Sequence, residues 1–173
     1  AALLTPPQAR LAAGILLLAP RLPLLFMGEE YGETNDFPYF CDYASPELID
    51  AVRKGRAAEF AYFRREAEPA DPVAPATFEA AVLSWDWADP VRAGLRRLYT
   101  DLLRLRRERT ALRDYAAGEV RLDGSVLVVD RGDTRIALNL GGAEVTPDGA
   151  VGEPLLRSES PDYGAEAPAR ARE

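Results

Sequence analysis

The sequence predicts an α/β arrangement followed by a small all-β unit, and three observations predict it. A helix start at Thr5-Pro6-Pro7 leads into the continuous apolar run Leu24-Leu25-Phe26-Met27-Gly28, the pattern of a strand covered on both faces, as in a parallel sheet or an α/β barrel. A second, more regular helix opens at Asp89-Pro90 with Val91, Leu95, Leu98, Leu102 and Leu105 on one stripe, four and three residues apart. From Gly118 the apolar period changes to two, punctuated by Asp123-Gly124, Gly132-Asp133 and Gly141-Gly142, which are hairpin turn signals.

The first helix is capped by the Thr5 hydroxyl and admits prolines in its first turn, where the amide donor is spare. It runs to about Leu18 and is ended by Pro20 and Pro23. Being apolar nearly all round from Leu11 to Leu18, it suits burial on more than one side. The strand after it has no partner of its own kind elsewhere in the chain, and an unpaired buried strand leaves its backbone groups unsatisfied. Residues 29–45 read as a polar and aromatic loop. Ser45-Pro46-Glu47 starts a helix to about Arg65, with Leu48, Val52, Phe60 and Phe63 as its apolar face. Pro69 to Pro75 reads as linker, and Thr77 to Trp87 as irregular. Val120 and Leu122, Val126 to Val129, Ile136 to Leu140 and Val145 are short strands, with Val151 to Leu156 a fifth. They predict a small antiparallel sandwich or partial barrel. After Ser160 the chain turns Ala/Arg/Glu-rich and is expected to fray.

With 173 residues, 47% of them apolar, the chain has room for one ordinary domain or two small units. A formal net charge of −7 argues against binding nucleic acid. The arginines of the regular helix (Arg92, Arg96, Arg97, Arg104, Arg106, Arg107, Arg109 and Arg113) are therefore read as a solvated face. There is no histidine, which removes the usual general base and the commonest zinc ligand. Cys41 is the only cysteine, so no intrachain disulfide forms and a cytoplasmic setting fits. Leu11 to Ala19 resembles a signal core but lies between Arg10 and Arg21, is too short to span a bilayer and lacks a cleavage site. No membrane association is expected. The chain opens Ala1-Ala2-Leu3-Leu4 without a methionine, as though cut from something longer.

Chemistry is sought at the carboxyl end of the apolar strand, which in barrels carries the active site. There stand Glu29, Glu30 and Tyr31, followed by Phe37, Tyr39 and Phe40. Adjacent residues at a strand end point to opposite sides, so Glu29 and Glu30 cannot readily flank one bond as a catalytic pair. The expectation for them is to order the loop or hold an arginine. Phe37, Tyr39, Phe40 and Tyr43 offer either a stacking surface for a substrate or packing for the loop. Trp85 and Trp87 are read as anchors beneath the last helix.

The blocks Met27-Gly28-Glu29-Glu30-Tyr31-Gly32 and Ala51-Val52-Arg53-Lys54-Gly55-Arg56, with Phe37-Pro38-Tyr39-Phe40-Cys41-Asp42, Leu98-Tyr99 and Ala137-Leu138-Asn139-Leu140, resemble malto-oligosyltrehalose trehalohydrolases of the α-amylase superfamily. The resemblance runs in order over roughly residues 5 to 157. Cys41 stands where that family often has threonine, and the tail from Pro161 does not resemble the family's last strand. The resemblance implies that residues 1–113 are the carboxyl-terminal portion of a TIM (β/α)8 barrel, with the eighth strand at about 23–28 and the last helix at about 89–110. Residues 114–160 would then be the antiparallel β-sandwich domain, and 161–173 a disordered or truncated tail.

The implied activity is hydrolysis of the α-1,4 bond joining trehalose to a malto-oligosaccharide. A retaining reaction of this kind uses paired carboxylates about 5 Å apart. The family's aspartate nucleophile, glutamate acid/base and stabilising aspartate would all precede Ala1, so none falls on this chain. No metal or cofactor is implied. The implied partners are the substrate, reached through the complete enzyme, and the missing amino-terminal part of the barrel. Two other readings remain open: another superfamily enzyme such as an α-glucan branching enzyme, which more typically has Gly-Gly-Glu-Phe at Gly28 to Tyr31, and a non-catalytic carbohydrate-binding module.

Overall fold

A computed structural model describes residues 4–62, 69–115, 118–145 and 152–165. The chain divides into two units, one of Glu33–Trp85 and the other of Ala2–Gly32 with Asp86–Glu173. This division differs from the expected boundary at residue 113, because the first helix and the acidic turn belong with the last helix and the sheet.

In the larger unit helix α1, Pro6–Leu18, lies against helix α4, Pro90–Glu108. Helix α1 starts after Thr5 with prolines in its first turn, as expected, and the Gln8 side chain accepts from both the Thr5 amide at 2.9 Å and the Thr5 hydroxyl at 3.0 Å. Asp89 caps α4 by accepting from the Arg92 amide at 3.0 Å, satisfying an amide that the first helical turn would leave free. Ala13 and Leu17 of α1 meet Leu95, Leu98, Tyr99 and Leu102 of α4 in the core, with Leu156 and Tyr163 against it. A four-residue helix α5, Thr110–Arg113, follows α4. Strands β1 (Glu119–Asp123), β2 (Val126–Arg131) and β3 (Thr134–Asn139) form an antiparallel sheet in the order β1-β2-β3. Val128 pairs with Ala137 and Leu127 with Leu138, and Gly14 of α1 lies beside the Leu138 side chain.

Three arginines join these elements. Arg106, buried on α4, donates to the carbonyls of Leu17 (2.6 Å), Ala19 (2.9 Å) and Arg21. Arg131, buried at the end of β2, donates to the Leu18 carbonyl at 2.9 Å and to that of Asp114. Burial lowers the Arg131 guanidinium's pKa, with the Arg106 charge next in effect. Arg10, 3% exposed, makes a two-pronged pair with Glu159, Nε to Oε1 at 3.0 Å.

Residues 152–165 strap this unit. Pro161–Tyr163 is a 3₁₀ turn, and the Tyr163 hydroxyl donates to Asp101 at 2.9 Å. A Cβ on Gly94 would lie 2.4 Å from both the Tyr163 carbonyl carbon and the Gly164 nitrogen, so only glycine admits the strap so close to α4.

The smaller unit contains helix α2, Pro46–Tyr62, and helix α3, Pro75–Ala80. Glu33 closes it by accepting from the amides of Thr34, Asn35 and Ser84 and from the Ser84 hydroxyl. The Arg53 guanidinium lies flat against the Asp71 carboxylate, Nε to Oδ1 at 3.0 Å and Nη2 to Oδ2 at 2.8 Å. The Cys41 amide donates to the Pro72 carbonyl at 2.8 Å. None of the residues of α2 is buried, so Leu48, expected on a buried face, is exposed.

Several expectations are corrected. No strand forms at 23–28: residues 23–26 carry no ladder and Met27-Gly28 form a turn, since the described residues supply no neighbouring strand. Glu29 and Glu30 stand in a 3₁₀ turn rather than at a strand end. The β unit is a single three-stranded sheet among the described residues, not a sandwich; Val145 and 152–156 are not strands, and Val151 lies outside the described residues. Within Thr77 to Trp87, expected to be irregular, α3 persists to Ala80, started by Pro75 at its first position. Phe63 and the rest of 63–68 lie outside the described residues. Arg106 is buried against carbonyls instead of solvated. Residues 161–165 pack as part of the strap instead of fraying, and 166–173 lie outside the described residues.

Two glycines make the packing testable. Gly94→Ala should destabilise the larger unit by about 1–3 kcal/mol, the usual range for overpacking. Gly55, in the interior of α2 with open space around its Cβ position, should gain about 0.5–1 kcal/mol on Gly55→Ala from helix propensity. Urea unfolding of each variant, followed by circular dichroism, checks both signs.

Candidate functional site

The acidic turn is built by two glycines and one tyrosine. Gly28 (φ 85°) and Gly32 (φ 72°) are both left-handed, a conformation that side-chain-bearing residues resist. Between them Glu29–Tyr31 forms the 3₁₀ turn with Tyr31 fully buried. The Glu29 carboxylate accepts from the Phe26 amide at 3.1 Å through one oxygen and from the Tyr99 hydroxyl of α4 at 3.0 Å through the other. Glu29 thus ties the end of the extended segment to α4. This is an ordering role for its carboxylate, whereas Glu30 stands half-exposed with no such tie described.

In the other unit the aromatic loop holds its rings in two groups. Phe37 and Phe40 meet edge to face with centroids 6.0 Å apart, and Phe40 meets Phe78 of α3 in the same way at 5.2 Å. The Arg56 guanidinium lies over Tyr39 at 5.2 Å and over Phe60 at 5.3 Å. Phe37, Tyr39 and Phe40 each keep between 36% and 44% of their surface exposed, so packing leaves part of every ring accessible. No group of three or more acidic, histidine or cysteine side chains suited to a metal ion occurs among the described residues. No helix among them is long and apolar enough to cross a membrane.

Comparison with known proteins places these features. A trehalohydrolase of Arthrobacter ramosus, named malto-oligosyltrehalose trehalohydrolase, is 43% identical over 137 residues, 75% of this chain and 23% of its own length. One of the same name from Mycobacterium tuberculosis is 37% identical over 167 residues, 93% of this chain and 29% of its own. The chain is a relative of the malto-oligosyltrehalose trehalohydrolases. It spans about a quarter of the length of these curated relatives, between 23% and 29%. Among solved structures it is similar to a putative α-amylase from Salmonella typhimurium, with a TM-score of 0.65 and 33% identity over 83% of this chain and 26% of that one. A family described as a domain of unknown function, DUF3459, matches residues 112–172, the stretch that holds the sheet and the strap.

Sequence alone does not mark every residue of the site. Tyr99 falls within the Leu98-Tyr99 block, but nothing in a single sequence pairs it with Glu29 seventy positions away. Arg53 and Arg56 carry no local signal either, because their partners Asp71 and Tyr39 lie across loops.

Two phenols make an alkaline prediction. Burial, then the neighbouring Glu29, pushes the Tyr99 phenol well above its ordinary value, and burial followed by Asp101 pushes Tyr163 up to about 12. Raised folded-state values mean that the fold favours the protonated phenols. Their contribution is complete below the ordinary phenol value of about 10 and is lost as pH rises through the folded values. Urea midpoints should therefore fall from about pH 10 upward, and the fall should be shallower in Tyr99→Phe.

Proposed function

We propose that this chain is the carboxyl-terminal part of a glycoside hydrolase that cleaves the α-1,4 bond of maltooligosyl trehalose and releases trehalose. The carrying observation is identity of 37–43% to proteins named malto-oligosyltrehalose trehalohydrolase over most of this chain. On this reading residues 23–28 pair as the last strand of a barrel only in the parent enzyme, α4 is its last helix, and the sheet belongs to the domain that follows. The exposed side chains of Leu22, Leu24, Phe26 and Met27 support it, since a patch of this kind normally meets a partner surface.

The acids that cleave the bond stand, on this proposal, in a part of the parent enzyme outside this chain. Use of both Glu29 oxygens in structural hydrogen bonds supports leaving that residue out of the chemistry. Glu29, Glu30 and Tyr31 instead order the loop beyond the barrel strand, and Phe37, Tyr39 and Phe40 lend partly exposed rings to the substrate. The similarity to a putative α-amylase favours one second reading, an α-glucan hydrolase of broader specificity. The products distinguish the two.

Incubated with maltooligosyl trehalose, this chain alone should release no trehalose, whereas the full-length parent should release trehalose and a malto-oligosaccharide. Turnover by the chain alone would return Glu30 to candidacy, and maltose or glucose as the main product would favour the broader hydrolase.

In the parent enzyme Tyr39→Ala should lower kcat/KM by about five- to thirty-fold, the loss of one stacked ring at about 1–2 kcal/mol. Phe40→Ala, which also breaks both edge-to-face contacts, should additionally lower the melting temperature. Unchanged kinetics in both variants would end the sugar-contact role.

A further inference from the structure

We propose that the shallow groove between α2 and the Pro69–Pro72 stretch is a binding site for a neutral α-glucan chain. The proposal rests on the glycoside-hydrolase reading for its ligand class and adds a site that the reading does not contain. The groove has a volume of about 250 Å³ and is lined by Arg53, Arg56, Pro69, Ala70, Asp71 and Pro72.

Its chemistry suits a polyol better than an anion. Each of its two arginines is already matched by a carboxylate, Arg53 by Asp71 at 2.8 Å and Arg56 by Glu59 at 2.5 Å, so among the described residues that line it no cationic charge stands uncompensated. What the wall offers is a flat pair of donors and acceptors: the remaining guanidinium N–H groups of Arg53 and the remaining lone pairs of Asp71. A sugar hydroxyl both donates and accepts without bringing charge, whereas a phosphate brings about one to two negative charges that a charge-matched wall does not neutralise. Pro69, Ala70 and Pro72 supply apolar surface for the C–H faces of a pyranose.

The wall is also held in place before any ligand arrives. Asp71 accepts from the Val73 amide at 3.3 Å, its carbonyl accepts from Thr77 Oγ1 at 2.7 Å, and Arg56 is fixed over two rings. Hydrogen bonding to Arg53 keeps the Asp71 carboxyl below its usual range, so the pair stays ionised at neutral pH. A pre-ordered wall loses little side-chain freedom on binding.

Titrating this chain with maltotetraose while recording ¹⁵N–¹H spectra tests the site. The Arg53 Nε signal and the amides of Arg53, Asp71 and Val73 should shift together, and Asp71→Asn and Arg53→Lys should each weaken binding five-fold or more without loss of helical circular dichroism. Sodium phosphate should leave these signals in place. Absence of shifts, shifts confined to residues away from the groove, undiminished binding by both variants, or displacement of the sugar by phosphate would each overturn the proposal. Because binding is read on this chain without turnover, a parent enzyme that fails to release trehalose would count against the catalytic reading and leave the groove to be judged by its own signals.

Discussion

The larger unit depends on how the carboxyl end of α1 is satisfied. A helix ends in carbonyls with no amide to meet them and in the negative pole of its dipole. Here those carbonyls point into protein, and two buried guanidinium groups meet them: Arg106 takes Leu17, Ala19 and Arg21, and Arg131 takes Leu18. Arginine suits the task because its planar fork carries five donors and stays charged when buried. One group comes from α4 and the other from the end of β2, so a single helix terminus fastens a helix layer to a sheet. Like charges placed together would ordinarily repel, which is why Arg131 feels Arg106 as a destabilising neighbour. The cluster of carbonyl dipoles holds both.

The other end of the unit is fastened by the strap. Arg10 reaches Glu159, Tyr163 reaches Asp101, and Gly94 allows the backbone of 163–164 to lie against α4. The same two helices are thus clamped from opposite directions, by arginines at the end of α1 and by the strap at its start. Position of the acidic turn follows from this frame. Tyr99 is in the α1–α4 core, and its hydroxyl sets Glu29, so the geometry of the turn is inherited from helix packing and not from the turn's own sequence.

Much of this frame was legible in the sequence, and the parts that were not share a cause. The limits of α1 and α4 could be read because their signals are local: a proline-led start, a capping side chain and an apolar stripe. The hairpins could be read because Gly124 and Gly132 occupy left-handed turn positions that few other residues accept. By contrast, the arginines of α4 look alike in sequence, and only the position of α1's terminus separates buried Arg106 from its solvated neighbours. The strap was missed because its anchors, Glu159 and Tyr163, are individually unremarkable and act through residues about 150 and 60 positions away. Continuous apolarity at 24–27 was read as a strand, yet a strand exists only with a ladder partner, and that requirement is not a local one.

That last case sharpens how the site should be understood. The backbone at the end of the extended segment meets a side chain: the Phe26 amide meets Glu29. One carboxylate therefore performs two jobs that in a complete sheet would be separate, ending the segment and tying it to the helix behind. Without Glu29 the Tyr99 hydroxyl, whose residue is buried in the helix core, would need another acceptor, and leaving a buried donor unmet costs about 1–3 kcal/mol. A residue that is exposed as a whole thereby holds a core hydroxyl through one carboxylate oxygen.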